Sequence, residues 1–313
     1  MTQPAIKTVA VIGAGTIGAS WSALFLAHGY DVVATDPDPG AEARLRDFVQ
    51  RALPDAAPRN PPEPGRLTFV TAPERAVAGA DYIQENAPEK EDLKADLIPR
   101  LLAAAPDHAV IGSSTTAFPR SVLVAKCRDG ARVVVAHPFN PPHLVPLVEI
   151  VGASPDASAV AVAVAFYRSL GREPVVLKKE AVGHLANRLQ AALVREALFC
   201  LQDGIADVAD IDRAVKFGPG LRWAWMGPFE TYHLAGGAGG IRHYLDHLGP
   251  SQVKRWESLG QPQLTDTLKA QAVHGVDAMV GDRPITALAA DRDAALKAVT
   301  AAVTAIRKGL PGA

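Results

Sequence analysis

The feature that most constrains this chain lies within its first thirty residues. Thr8-Val9-Ala10-Val11-Ile12 runs directly into Gly13-Ala14-Gly15-Thr16-Ile17-Gly18, and an apolar segment continues to Ala27 before Gly29 interrupts it. A β-branched run, a G-x-G-x-x-G turn and a longer apolar stretch read as strand, tight turn and helix. The three glycines act differently. Gly13 permits the sharp turn, Gly15 has no Cβ to keep a pyrophosphate away, and Gly18 lets the helix lie close to the strand. The helix start offers unpaired N–H groups around Thr16, Ile17 and Gly18, and the positive end of its dipole, to an anion. A second strand over residues 31–35 ends at Asp36. An acid at that place accepts both hydroxyls of an adenosine ribose and repels a 2′-phosphate, so the expected cofactor is NAD rather than NADP. The competing use of Asp36 is as a cap before Pro37-Asp38-Pro39.

Further segments alternate in the same way. Helix is expected over residues 40–53, then a loop over 54–65 because five prolines (Pro54, Pro58, Pro61, Pro62 and Pro64) fall there. Strands follow at 67–70, 82–84, 109–112, 132–136, 147–151 and 174–177, with helices between most of them. This pattern implies a doubly wound, mostly parallel α/β sheet of the Rossmann type, whose functional groups gather at the carboxyl ends of strands. Residues 85–89, Ser113 and His137 all fall at such ends. From about Lys179 strand-like runs cease and helical periodicity takes over at 182–201, 209–217, 241–248, 265–280 and 286–308. The expected organisation is a cofactor domain over residues 1–179 and an all-helical substrate and dimerisation domain over 180–313. Helices this apolar in so small a domain bury more surface against a second copy, which points to a homodimer.

Composition narrows the partners. With 32 basic and 33 acidic residues the formal net charge is −1, which gives no electrostatic case for nucleic acid or an anionic membrane. Two cysteines, Cys127 and Cys200, offer neither a metal-ligand spacing nor a disulfide framework. No metal is expected. No basic-plus-apolar leader is visible before the first strand, and no apolar run reaches membrane-spanning length, so the expected location is the cytoplasm.

An alcohol dehydrogenation needs a base for the hydroxyl proton, a group that orients the base, and polar partners for the reacting oxygen. His137, in Ala136-His137-Pro138-Phe139-Asn140-Pro141-Pro142, is the candidate base, and Glu149, twelve residues later on the following strand, is the candidate partner. A structural histidine and an unrelated surface glutamate fit the spacing equally. Ser113 is either a donor to the substrate oxygen or a turn cap, and Asn187 either reaches the substrate or caps locally. His184 is ranked below His137, because it is read as part of the helical domain, one turn before Asn187 and far from the strand ends.

The segments VIGAGTIGASW, ENAPEKEDLK, IGSSTTAF, AHPFNPPHLVPLVEIV, VGHLANRL and MGPFE resemble, in order and over nearly the whole chain, the L-3-hydroxyacyl-CoA dehydrogenase superfamily. The resemblance implies reversible NAD-dependent oxidation of an L-3-hydroxyl, with His137, Glu149, Ser113 and Asn187 as the catalytic set. It also implies cofactor contacts at Glu89, Lys94 and Asn140. FGPGLRWAWMGPFETYHLAGG is similar to the carnitine 3-dehydrogenase and L-gulonate 3-dehydrogenase (lambda-crystallin) branch. The lysine-bearing hairpin that helps acyl-CoA members hold CoA is replaced here by the 54–65 loop, which carries Arg59 and no lysine. Trp223, Trp225, Phe229 and Tyr232 fall within ten residues of a chain with 18 aromatics, where even spreading gives roughly 0.6. They are either helix-core packing or an aromatic wall for a quaternary ammonium, with Arg222 beside them for a carboxylate. The expected substrate is therefore a small free L-3-hydroxy acid, carnitine first. The alternatives are an L-3-hydroxyacyl-CoA, L-gulonate, or a catalytically idle crystallin-like protein that only binds NAD.

Overall fold

The glycine turn has the conformation its sequence demands. In the computed structural model, which describes residues 5–309, Gly13 adopts φ +89°, and a Cβ there would lie 2.6 Å from the Asn86 carbonyl oxygen. The turn joins β1 (Thr8–Ile12) to α1 (Thr16–Ala27), and at Gly18 a Cβ would collide with the Gly13 carbonyl. The other strands are β2 (Asp31–Thr35), β3 (Leu67–Val70), β4 (Tyr82–Glu85), β5 (Val110–Ser113), β6 (Val133–Pro138), β7 (Leu147–Val151) and β8 (Glu173–Val176). Between them run α2 (Ala41–Ala56), α3 (Pro73–Val77), α4 (Glu91–Ala104), α5 (Arg120–Leu123) and α6 (Ser158–Ser169).

The eight strands form one sheet in the order β3-β2-β1-β4-β5-β6-β7-β8. The chain order reverses between β1 and β4, and the crevice outside the carboxyl ends of strands at such a switch is where α/β sheets bind ligands. All pairings are parallel except β6 with β7, where the chain returns antiparallel and sets His137 directly opposite Glu149. Alternating strand residues feed two cores. Val9 and Val11 pack with Trp21, Phe25, Leu45, Phe166 and Tyr167 on one face, while Ala10 and Ile12 pack with Ile83, Ile98, Leu101, Ile111 and Leu123 on the other.

Two local expectations differ from the structure. The helix α2 continues through Pro54 to Ala56, because Leu45, Val49, Ala52 and Ala56 form one buried stripe that outweighs the hydrogen bond lost at the proline. The helix expected from Val182 starts only at α7 (Ala186–Gln202), since Gly183 and His184 occupy left-handed backbone at φ +73° and +51°.

The chain divides into two compact units, the first ending at Arg188 and the second beginning at Leu189. The second contains most of α7, then α8 (Val208–Phe217), α9 (Pro219–Trp223), α10 (Pro228–Ala235), α11 (Gly240–Glu257), α12 (Asp266–Val280) and α13 (Ile285–Gly309). Among the described residues, no helix is long and apolar enough to cross a membrane.

Candidate active site

At the switch point a cleft of about 490 Å³ is lined by Gly13, Gly15, Thr35, Asp36, Asn86, Ala87 and Pro88, with Leu93, Leu97 and Arg100 farther along it. A Cβ built at Gly15 meets nothing within 4 Å, so the backbone there is open to a ligand. Thr16 and Ile17 open α1, whose first-turn N–H groups have no side-chain cap. Asp36 is half-buried at the cleft wall, held by the Ala14 N–H on Oδ2 (2.8 Å) and the Asp38 N–H on Oδ1 (2.9 Å). It thus performs the local capping its sequence allows and still faces the cleft. These features fit a dinucleotide, with pyrophosphate at the glycine turn and ribose at Asp36.

The reacting end is built where β4, β5 and β6 finish and the antiparallel β7 begins. His137 and Glu149 are both buried, and Nδ1 of His137 lies 2.9 Å from Oε2 of Glu149. A carboxylate accepts, so Nδ1 carries the proton and Nε2 is left with a free lone pair, the form a base requires. The other oxygen, Oε1, accepts the backbone N–H groups of Leu185 (2.8 Å) and Ala186 (2.9 Å). Burial pushes the Glu149 carboxyl upward, but the bonds from His137, Ala186 and Leu185 outweigh it and hold it below its ordinary range.

Ser113, at the end of β5, is fully buried, and its hydroxyl donates to Oε2 of Glu85. The expected donation to substrate is therefore already taken up, and Ser113 meets the site as an acceptor. The sequence places Glu85 at a strand end but assigns it no role, and the structure gives it one. Its Oε1 accepts Nζ of Lys94 (2.8 Å) and the Ala87 N–H (2.7 Å). Lys94 also donates to the Ala87 carbonyl (2.9 Å) and approaches Glu89 at 3.5 Å, with a side chain only 1% exposed. Lys94 thus directs its donors inward, as a buried ammonium takes the carboxylate behind it. Glu89 is half-exposed and gathers the next loop: Oε1 accepts the Thr115 hydroxyl (2.5 Å) and the N–H groups of Thr116 (2.9 Å) and Ala117 (2.8 Å). Burial raises its carboxyl, and Thr115, Ala117, Lys94 and Thr116 together more than reverse that. Asn140 is exposed in the turn after β6, and Asn187 is half-buried in the first turn of α7.

His184 is where the sequence reading fails. It belongs to the first compact unit, lies outside α7, and packs against His137 with ring centroids 5.0 Å apart.

In the second unit the aromatic segment is split. Phe229 and Tyr232, on α10, line a groove of about 260 Å³ with Tyr244 and Trp256 of α11, two aromatics outside the segment the sequence singles out. Trp225 instead carries the Arg307 guanidinium 5.7 Å from its ring, and Trp223 and Arg222 are exposed on α9. A single wall of four aromatics is not what this unit presents. α9 ends at Trp223 and α10 begins at Pro228 after Gly227, so the four aromatics fall on two helices and the turn between them.

Comparison with known proteins agrees with this geometry. The profile of the 3-hydroxyacyl-CoA dehydrogenase NAD binding domain matches residues 8–181, and that of the C-terminal domain matches residues 183–273. The chain is 46% identical to an L-carnitine dehydrogenase of Nocardiopsis dassonvillei, over 98% of this chain and 94% of the relative. It is 48% identical to an L-carnitine dehydrogenase of Streptomyces coelicolor, over 94% of each. Among solved structures, 5-formyl-3-hydroxy-2-methylpyridine 4-carboxylic acid 5-dehydrogenase, an NAD+ dependent dismutase, superposes with a TM-score of 0.76 at 28% identity, covering 96% of this chain and 99% of that one. The glycine turn, the Asp36 cleft and the buried His137–Glu149 pair accordingly sit in an NAD-dependent dehydrogenase, and the chain belongs to the 3-hydroxyacyl-CoA dehydrogenase family.

Proposed function

We propose that this protein oxidises the 3-hydroxyl of L-carnitine to 3-dehydrocarnitine, with His137 as the base. The observation that carries the catalytic part is the bond between His137 Nδ1 and Glu149, which leaves Nε2 as an unprotonated acceptor. The substrate hydroxyl donates to Nε2, and the proton moves to it as the carbon–hydrogen bond is broken. Glu149 stabilises the imidazolium that results, and two backbone N–H groups keep that carboxylate ionised. NAD+, when bound, supplies the hydride acceptor. Gly13, Gly15, Thr16, Ile17 and Gly18 hold its pyrophosphate, Asp36 its ribose, and Glu89 and Asn140 border its nicotinamide half, while Lys94 acts through Glu85 and Glu89. Ser113 accepts from a donor group of substrate or cofactor, and the Asn187 amide donates to the oxygen as it becomes a carbonyl.

Carnitine is favoured by the two L-carnitine dehydrogenases of near-equal length at 46% and 48% identity. The chemistry of residues 222–232 agrees: a trimethylammonium gains from aromatic faces and a carboxylate from a guanidinium. In this reading Arg222 takes the carboxylate, and Trp223, Trp225, Phe229 and Tyr232 supply the aromatic faces, not all of them to one ligand. The helical unit, residues 180–313 in the sequence reading, also serves as the homodimer surface. Phe217, Phe229, Trp256 and Ile285 are exposed there, while Tyr244 and Leu268 are its only buried large hydrophobics among the described residues. Two unbridged cysteines suit a cytoplasmic location.

The test is NADH formation with L-carnitine, L-gulonate, L-3-hydroxybutyrate and L-3-hydroxybutyryl-CoA at alkaline pH. Carnitine is expected to show the highest kcat/KM; faster turnover of the CoA ester than of every free acid overturns the assignment. Light scattering on the purified chain tests the dimer, and a monomer at micromolar concentration rejects it.

A further inference from the structure

His184 is a buried titratable side chain at the site, and the mechanism above does not use it. Its backbone lies at φ +51°, a region costly for a side chain with a Cβ, and Gly183 before it lies at φ +73°. Such a conformation persists only where its surroundings impose it. Three anchors do so here. The His184 N–H donates to the Ala181 carbonyl (3.0 Å), the next two N–H groups are bound by Glu149, and the ring is bonded at Nε2 to the Thr115 carbonyl (3.0 Å).

A carbonyl only accepts, so Nε2 of His184 carries the proton in that bond. The ring packs tilted against His137, at 5.0 Å between centroids and 39° between planes, while Phe139 meets His137 edge-on at 5.7 Å. The groups around His184 are His137 from β6, Glu149 from β7, Thr115 after β5, and Glu89 before α4, with Lys94 behind Glu89. Burial drives the imidazole toward its neutral form; the Thr115 carbonyl opposes, His137 adds to burial, and Glu149 and Glu89 oppose, with a lowered pKa as the result. A cation at this place would set like charge against the imidazolium that His137 becomes on taking the substrate proton.

We propose that His184 is a positioning residue for the base: an imidazole that packs tilted against the His137 ring and, through Nε2–H, ties it to the Thr115 carbonyl of the loop that follows Ser113. The inference rests on the reading of His137 as base. It explains why a strained histidine is held where a glycine would relax the backbone, and why the two rings share one pocket while only one of them is bound to a carboxylate.

The test uses the full-length protein with two variants. His184→Phe keeps a ring against His137 and removes the donor; His184→Asn tolerates left-handed backbone, keeps a donor and removes the ring. Nitrogen-15 NMR of the wild-type histidines is expected to show His184 neutral and protonated at Nε2 from pH 6 to 8. With L-carnitine, or whichever substrate the wild type turns over, both variants are expected to lose about tenfold or more in kcat, the scale of a misplaced reactive group. Their NAD+ dissociation constants should stay within about threefold of the wild type, and the primary deuterium isotope effect on kcat should rise as chemistry becomes slower. An imidazolium or an Nδ1-protonated His184 at pH 7 overturns the proposal whether or not the variants fold. So do two folded variants with wild-type kcat and isotope effect. Failure of carnitine as substrate leaves the NMR result standing and bears only on the assignment of function.

Discussion

His137 and Glu149 stand directly opposite one another in the antiparallel pairing of β6 and β7, with Nδ1 and Oε2 2.9 Å apart in a buried setting. The pairing is enforced by backbone register rather than by side-chain choice, so the imidazole meets its carboxylate without searching rotamers across a loop.

That arrangement sets the first expectation. His137→Gln should bind NAD+ nearly as well as the wild type and lose at least about a hundredfold in kcat, the scale of lost general-base help. Glu149→Gln should also lower kcat and move its pH dependence, because an amide opposite Nδ1 stabilises the imidazolium less. Steady-state kinetics with fluorescence titration of NADH checks both; near-normal turnover in His137→Gln would show that another group is the base.

Asp36 governs cofactor choice. Asp36→Ala removes the ribose acceptor and the partner of the Ala14 N–H. Titration of the variant with both reduced cofactors is expected to show weaker NADH binding, by roughly tenfold, the scale of a lost charge-assisted hydrogen bond. NADPH binding should improve. Unchanged NADH affinity would count against the assignment.

The Glu85–Lys94 pair is the most sensitive stabilising contact near the site, since both side chains are essentially inaccessible. Glu85→Gln leaves the buried ammonium with only the Ala87 carbonyl and the more distant Glu89 carboxylate, a loss of up to about 3–5 kcal/mol in urea unfolding. Glu85→Leu combined with Lys94→Met should recover much of that stability. It should not recover turnover, because Ser113 still lacks its acceptor. Equal recovery of both would reduce the pair to a packing role.

Stability should depend on pH in two windows. His184 has its folded pKa lowered, chiefly by burial, so the unfolded chain binds more protons as pH falls below about 6.5. Stability should therefore rise with pH from the lowered value to about 7, by no more than about 1.4 kcal/mol per pH unit from this group. Glu149 and Glu89 also have lowered folded values, so their contribution is present above about 4.3 and is lost as pH falls through those folded values. Urea midpoints of the wild type and His184→Asn from pH 3 to 8 should show the upper slope reduced in the variant, with the remainder left by His28, whose folded pKa burial also lowers, while the acid loss remains.

The parts legible in the sequence are those written in short-range pattern. The glycine turn and the strand ends at Asp36, Ser113 and His137 follow from periodicity and from the habit of α/β sheets to place function at carboxyl ends, whereas spacing leaves the His137–Glu149 pairing open and only the family resemblance implies it. What pattern misses depends on where side chains turn after the backbone is set. His184 reads as helical because Val182 and Leu185 continue an apolar period, but Gly183 begins a left-handed pair that delays α7. Lys94 and Ser113 read as facing the ligand, yet both bond to Glu85, an acid whose burial no local pattern announces. The aromatics at 223–232 look like one cluster on paper, but α9 stops at Trp223 and α10 starts only at Pro228, which puts them on two helices and the turn between.

One carboxylate holds both the base and the chain segment at residues 185–186, since Oε2 of Glu149 takes His137 and Oε1 takes the N–H groups of Leu185 and Ala186. The carboxylate that orients the base thus gains its last two donors only from a chain that has been completed past Ala186. A fragment ending at residue 181, where the NAD-binding profile stops, would keep the glycine turn and Asp36 but would lack those two donors. Cofactor capture and catalytic competence are therefore acquired at different points along the chain, and a nascent or nicked molecule is expected to bind NAD before it can turn over substrate.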